Sequence, residues 1–425
     1  MRAMQYNIHT LKNGLRVVLA PMPGAETATV IVMTGTGSRY ENDRENGLAH
    51  FLEHMFFKGT KKRPSAKRIS EELDGVGAVY NAYTSKDRTA YYAKVSARYL
   101  NVALDVISDI FLNSTLPVAE IAKERGAVIQ EIGMYEDMPM RSVGDVFDAL
   151  VFGEEPLGRT VLGPKENIAN FTRKEFVAYL KRNYVPGNTV VFIAGALSKE
   201  KTLASVKRAF GGLAPAPVPV FIPHRWSEVS AQVAVKEKLT DQTQLVIGVP
   251  AYPYLHKDEF AQAVLAAILG GGMSSRLFIE VREKRGLAYS VHAWADKYAD
   301  VGYLAAQAGV DHDKLERAVV TILAEFGKLK RNLVSKEELA KAKSLLKGTK
   351  TLSLETSDEI AGNAAGSLLS FGKIRTLEQY RASVDRVSAK DVQRVARELF
   401  TSERLRLAVI GPNHDEAALK QLLRV

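Results

Sequence analysis

The stretch Gly47-Leu-Ala-His50-Phe-Leu-Glu53-His54 sets two histidines four residues apart, with a glutamate beside the second. On a helix, His50 and His54 share one face, one turn apart. That spacing lets two imidazoles reach one metal ion. Glu53 projects near the same place, where a carboxylate can take a proton from water that a metal activates. The H-x-x-E-H order is one of those used by catalytic zinc sites. The same five residues are also compatible with two histidines that lie by chance near an acid. A third ligand decides the matter, because catalytic zinc takes three protein ligands and leaves a position for water. Glu131 is the candidate, with 76 residues between it and His54. Glu124 lies seven residues earlier, two helical turns away and on nearly the same face. Ala127 and Val128 between them make the stripe read as buried, and buried acids need a partner. The opposing reading leaves both acids solvated on a surface helix, like Glu120 and Lys123.

These side chains need elements to hold them. Leu15–Leu19 and Thr29–Thr34 are predicted strands, being β-branched and bounded by turn signals. Glu45–Phe57 is predicted helical and carries the histidines. Ser65 can cap a helix through Asp74, with Gly75 and Gly77 beyond its end. Val79–Thr84 and Thr89–Val95 alternate and predict an antiparallel hairpin. Arg98–Leu112 is a further helix, and Pro117 suits the first position of a long one through about Met134, which carries Glu124 and Glu131.

The 425-residue chain suggests two to four domains. Four of its fifteen prolines fall in Gly212–Arg225, which reads as an extended linker near the midpoint. On either side lies a repeat. FTRKEFVAYLKRNYVPGNTVVFIAG, ending at Gly195, aligns without a gap on VSAKDVQRVARELFTSERLRLAVIG, ending at Gly411, and EIAKER from Glu120 matches ELAKAK from Glu338. The expected organisation is a first domain over 1–211, a linker over 212–225, and a second domain of the same fold over 226–425. The expected class is α+β, each domain a mixed or antiparallel sheet with helices packed on one face.

Apolar content of 46% and charged content of 25% exclude wholesale disorder. No apolar run approaches the ~20 residues of a membrane span. Cysteine is absent, which removes disulfides, thiolate metal sites and a cysteine nucleophile. The formal net charge is +10, but its Lys and Arg are interleaved with acids along the chain. That pattern argues against a nucleic-acid face, which clusters its charge. The run Lys58, Lys61, Lys62, Arg63 beside Pro64 reads as a solvated loop. Gly270-Gly271-Gly272 lacks the lysine arrangement of a phosphate cradle and reads as a tight turn. The N-terminal residues show no apolar core of a secretory signal, so the expected location is cytoplasmic.

With the two histidines, Glu53 and Glu131 in place, the sequence resembles the pitrilysin/insulysin and mitochondrial-processing-peptidase zinc metallopeptidases, the inverzincins. The resemblance covers nearly the whole chain, and the 76-residue gap is the family's own spacing. It implies that His50, His54 and Glu131 bind one zinc ion per chain. It implies that Glu53 is the general base and Glu124 a second acid behind the metal. It makes Asn81-Ala82-Tyr83-Thr84 the edge strand on which a peptide is laid as an added strand.

In the second repeat Ala263–Ala267 stands where the H-x-x-E-H stretch stands in the first, and Thr349 replaces Glu131, so no second zinc site is expected. That repeat instead carries Arg282-Glu-Lys-Arg-Gly-Leu-Ala-Tyr289. Gly286 is expected to end a helix, with Arg282 in its last turn and Tyr289 opening a strand. From the residues alone, a cap salt bridge and a core tyrosine are the favoured reading. The resemblance makes Arg282 and Tyr289 contacts to the substrate backbone that support the oxyanion.

The resemblance further implies an endopeptidase for unstructured peptides, working inside a dimeric clamshell. A chain holding both the zinc motif and the Arg/Tyr pair suits a homodimer, with Arg282 and Tyr289 of one copy serving the zinc site of the other. A heterodimer with a related chain is the variant arrangement. The competing readings are a non-catalytic or partner-dependent subunit of a larger processing complex, and a nucleic-acid binder motivated by the charge. Neither a membrane nor a nucleic-acid partner is expected.

Overall fold

The aligned segments ending at Gly195 and Gly411 become the same strand in two sheets. In the computed structural model, which describes residues 4–226 and 232–425, the first sheet comprises β1 (Asn7–Thr10), β2 (Arg16–Pro21), β3 (Thr27–Thr34), β4 (Val79–Thr84), β5 (Thr89–Ser96) and β6 (Thr189–Gly195). Their order is β1-β2-β6-β3-β5-β4, and only β2 and β6 run parallel. The second sheet comprises β7 (Gln232–Glu237), β8 (Thr243–Ala251), β9 (Ala288–Lys297), β10 (Gly302–Val310) and β11 (Arg406–Gly411). Its order is β7-β11-β8-β10-β9, and only β7 and β11 run parallel. From β2 and β7 onward the two sheets match strand for strand in order and sense, as a duplication requires. The molecule is thus the expected two-domain α+β fold with mixed sheets. The ends of the expected domains at 1–3 and 227–231 lie outside the described residues.

The central strands explain how the helices are arranged. A strand covered on one face alternates in polarity, whereas one covered on both reads as a continuous apolar run. In β3 and β6 the run VIVM and the run VVFIA are buried throughout. Val17, Leu19, Val30, Val32, Val191 and Ile193 pack with the helices Leu48–Phe56 and Leu100–Asn113. Residues of opposite parity, Val18, Ile31, Met33 and Phe192, meet a single further helix, Ser357–Phe371, through Ile360, Ala361, Ala364 and Leu368. The expected helical layer on one face is therefore joined by one helix on the other. Hydrogen bonds fix it there: Thr29 Oγ1 to Ser357 Oγ at 2.8 Å, Arg16 to the Leu368 carbonyl at 3.2 Å, and Lys94 to Asp358 at 2.7 Å. In the second unit the helix Pro139–Phe152 occupies the corresponding place, setting Val143, Phe147 and Val151 against Val246, Ala305, Ala408 and Ile410.

These two helices come from the wrong halves of the sequence. One compact unit takes the chain up to Ile132, Thr160–Ile222 and Leu352–Thr376; the other takes Gly133–Arg159, Pro223–Thr351 and Leu377–Val425. The division by compactness thus differs from the division by repeat at 1–211 and 226–425, because each sheet covers its second face with a helix from the other repeat. The proline-rich stretch 214–226 carries no helix or strand. Among the described residues no helix is long and apolar enough to cross a membrane.

A fragment of residues 1–211 lacks Ser357–Phe371 and leaves the face of Val18, Ile31, Met33 and Phe192 open to water. It is expected to aggregate or to unfold without cooperativity. Fusing residues 352–376 to it should restore a monodisperse species by size exclusion and a sigmoidal melt by circular dichroism. A well-behaved 1–211 fragment would contradict this account.

Candidate metal centre

The helix that carries the histidines starts at Leu48 rather than at Glu45, because Gly47 adopts φ 98°. A side chain there would bring Cβ to 2.6 Å from the Leu162 carbonyl oxygen, so only glycine suits both the dihedral and the space. The buried Glu41 carboxylate then caps the start of the helix, accepting from the backbone N–H of Gly47 at 2.9 Å and of Ala49 at 2.5 Å. Burial pushes the Glu41 pKa up to about 8, against the pull of those two N–H groups and Asn46. The second helix runs over Val118–Glu136, so Pro117 stands just before it rather than at its first position, and it ends two residues beyond Met134.

Three potential ligand atoms converge from these helices. His50 Nε2 and His54 Nε2 are 3.3 Å apart. Glu131 Oε2 lies 3.5 Å from the first and 3.4 Å from the second. Tetrahedral zinc with ligands at ~2.0–2.1 Å sets neighbouring donors roughly 3.3–3.4 Å apart, so the three atoms fit that geometry. Two imidazoles and one carboxylate are also the donor types zinc accepts in open, three-ligand sites. Behind the centre, Glu124 Oε1 meets His54 Nδ1 at 2.9 Å, and Glu124 Oε2 meets Lys58 Nζ at 2.5 Å. A carboxylate on Nδ1 fixes the tautomer that leaves Nε2 as the ligand. His50 Nδ1 is buried without a hydrogen-bond partner among the described residues.

The electrostatics reflect crowding of like groups. Burial, then the charge of His54, lowers the His50 pKa to about 4, partly offset by Glu131. Burial also works against charging His54, but hydrogen bonds to Glu124 and Glu131 outweigh it and lift its pKa to about 9. The His54 bond holds Glu131 below the usual carboxylate range. Burial raises the Glu124 carboxyl, but its bonds to His54 and Lys58 win and lower it. Glu53 shifts the other way, raised by burial, with a hydrogen bond from Thr84 opposing. That bond runs from Thr84 Oγ1 to Glu53 Oε2 at 2.5 Å.

Strand alternation sorts the four residues Asn81–Thr84. Ala82 and Thr84 turn toward the histidine helix, with Ala82 in the core, while Asn81 and Tyr83 are exposed. The strand β4 pairs only with β5, so its other edge is free of partners among the described residues.

In the second unit, Arg282 lies near the end of a single π-helical turn, Phe278–Glu283, rather than in an α-helix. Gly286 follows at φ 57°, and its N–H bonds back to the Arg282 carbonyl at 3.0 Å. The guanidinium sits 4.8 Å from the ring centroid of Tyr289, the second residue of β9, and Arg282 Nε lies 3.5 Å from Glu283. Tyr289 is 78% exposed, so it is not a core tyrosine. Ala267 and Ala342, which align with His54 and Glu124, line a cavity of about 320 Å³ with Ile268 and Leu345.

Sequence reasoning missed Glu41, Lys58 and the role of Thr84 beside Glu53. Lys58 had a signal, standing four residues past His54 and in its helical phase. Glu41 had none, since its contact with the helix start depends on a loop.

The profile of the insulinase family, peptidase family M16, matches residues 16–165, and that of the peptidase M16 inactive domain matches residues 170–346. The chain belongs to peptidase family M16. Its M16 relatives include an uncharacterized zinc protease of Bacillus subtilis, 37% identical and matched over 95% of this chain and 98% of that one. Another, from Rickettsia felis, is 36% identical over 96% and 98%. The crystal structure of a protease from Helicobacter pylori superposes with a TM-score of 0.90 at 27% identity, covering 96% of this chain and all of that one. A peptidase M16 inactive domain from Pseudomonas fluorescens shares the fold at TM-score 0.89 and 18% identity.

Two outcomes are expected of this M16 centre. Zinc needs the neutral Nε2 of His54, which is protonated below about pH 9 in the metal-free site. Zinc uptake at neutral pH therefore expels a proton, and affinity should rise about tenfold per pH unit until about 9 and then level. Calorimetry in buffers of differing ionisation enthalpy reads that proton. Glu124→Ala should weaken zinc binding by about 10- to 100-fold, measured by competition with a chromogenic chelator.

Proposed function

We propose that this M16 chain is a zinc-dependent endopeptidase acting on unstructured peptides. The observation that carries the reading is the meeting of His50 Nε2, His54 Nε2 and Glu131 Oε2 within 3.5 Å of one another. The zinc-protease names of its relatives support it. A bound zinc ion would supply Lewis acidity, activating water and polarising the peptide carbonyl. His50, His54 and Glu131 would hold it, and Glu124 with Lys58 orients His54. Glu53 accepts a proton from the attacking water and later passes it to the leaving nitrogen. Its raised pKa brings it nearer to neutrality, where a general base works best.

The substrate is taken up in an extended form. The free edge of β4 offers unpaired backbone groups of the kind that accept an added strand. Folded proteins do not present such a strand, so they should be poor substrates. Arg282 and Tyr289 offer a permanent cation and an O–H donor at the surface of the second unit, suited to a substrate backbone and a developing oxyanion. In this reading two copies of the chain form the working enzyme, and the Arg282/Tyr289 pair of one copy serves the zinc site of the other.

The test uses a quenched-fluorescent unstructured peptide with zinc content measured in parallel. Wild type should cleave with about one zinc per chain, and Glu53→Gln should retain zinc while losing about 10²- to 10⁴-fold in kcat. Zinc-loaded wild type inactive on a broad peptide set would overturn the reading. The dimer has its own check. Mixing Glu53→Gln with Tyr289→Phe should recover activity that neither has alone, and additive behaviour of the two would count against shared sites.

A further inference from the structure

Glu53 is held from outside its own helix by the last residue of the edge strand. We infer that Thr84 is the positioning residue of the base: its hydroxyl fixes the Glu53 carboxylate, and its place at the end of β4 ties that carboxylate to the strand on which a peptide pairs. This rests on the peptidase reading above and names the group that sets its base.

The geometry makes Thr84 a rigid donor. Parity along β4 turns its side chain toward the histidine helix, in line with Tyr80 and Ala82. Tyr80 lies against Phe57 at the end of that helix, with ring centroids 6.3 Å apart. On the sheet side Thr84 pairs with Thr89 of β5. Beyond it the turn closes through Ser85 N–H to the Arg88 carbonyl at 2.8 Å. That turn is clamped to the segment after β3, where Ser38 and Arg39 donate to the Ser85 and Lys86 carbonyls at 3.2 and 2.9 Å. Gly37 permits the clamp, because a Cβ there would fall 2.0 Å from the Ser85 oxygen. The Thr84 hydroxyl is thus placed by backbone on both sides, and its 2.5 Å bond engages Oε2 of Glu53. Oε1 has no hydrogen bond among the described residues, so the bond selects which oxygen is left to receive a proton.

The free edge of β4 and the hydroxyl that holds the base belong to one strand. A peptide that pairs along β4 stiffens the element that positions Glu53, so base geometry is completed by correct strand pairing. A β-branched side chain without a hydroxyl removes the bond and keeps the strand, which makes Thr84→Val the informative variant.

The experiment compares the zinc-loaded full chain with Thr84→Val and Thr84→Ser on the unstructured peptide. Thr84→Val should keep one zinc and lower kcat on the order of 10²-fold, with KM within about twofold of wild type. Thr84→Ser should recover most of the loss, since it restores the donor. Thr84→Ala carries the same expectation as Val should the latter fail to fold. A Val variant with kcat within about twofold of wild type, a loss confined to KM, or a Ser variant as slow as Val would overturn the assignment. Should wild type cleave nothing, the peptidase reading falls by itself. Crystal structures of wild type and Thr84→Val then decide the positioning role, which is sustained by a displaced Glu53 carboxylate and overturned by an unmoved one.

Discussion

Two imidazoles and a carboxylate brought within 3.5 Å of each other form an arrangement that a folded chain holds only under constraint. The groups repel or compete for protons, as the divergent pKa values of His50 and His54 show. A divalent cation at their centre would turn that conflict into coordination. Contacts around the site fix the two helices that carry these groups. Glu41 and Gly47 fix the start of one helix. Lys58 reaches from its far end to the other helix and takes the oxygen of Glu124 that His54 does not use. The cost of crowding three carboxylates, Glu53, Glu124 and Glu131, is lowered by giving each its own partner.

The sheet behind these helices explains why the site can be rigid. Its central strands are buried on both faces, and burial of that kind needs a layer on each side. The first repeat provides one layer from its own sequence. The helix Ser357–Phe371 provides the other, using Ala361, Ala364 and Ala365 to approach the strands closely. The second sheet receives Pro139–Phe152 in the same manner. A duplication that exchanges these covers makes each unit depend on the whole chain for its core. The second repeat keeps the frame but not the metal ligands, and the small residues Ala267 and Ala342 leave a cavity in their place.

Much of the site was legible because helical and strand periods are local. The four-residue spacing of His50 and His54 and the seven-residue spacing of Glu124 and Glu131 fix which side chains share a face before any tertiary contact forms. The hairpin of β4 and β5 was legible for the same reason, and so was the repeat that ends at Gly195 and Gly411. The helix start at Leu48 was misjudged by three residues, since its signal is a positive φ at Gly47 and a carboxylate six residues upstream. The π-helical turn at Arg282 was read as ordinary helix, because a one-residue slip in hydrogen bonding leaves no mark in residue type.

By itself, then, the sequence determined the doubled α+β frame and the absence of thiol chemistry, and local spacing singled out His50, His54, Glu53 and Glu131 as candidates for a metal site and its base. Only the tertiary structure decided which helix covers the far face of each sheet, which cation answers Glu124, and which hydroxyl holds Glu53. Those choices join residues separated by tens to hundreds of positions, from Thr84 and Glu53 to Thr29 and Ser357. Periodicity assigns a residue to a face, but what meets that face depends on how the whole chain buries its apolar surface.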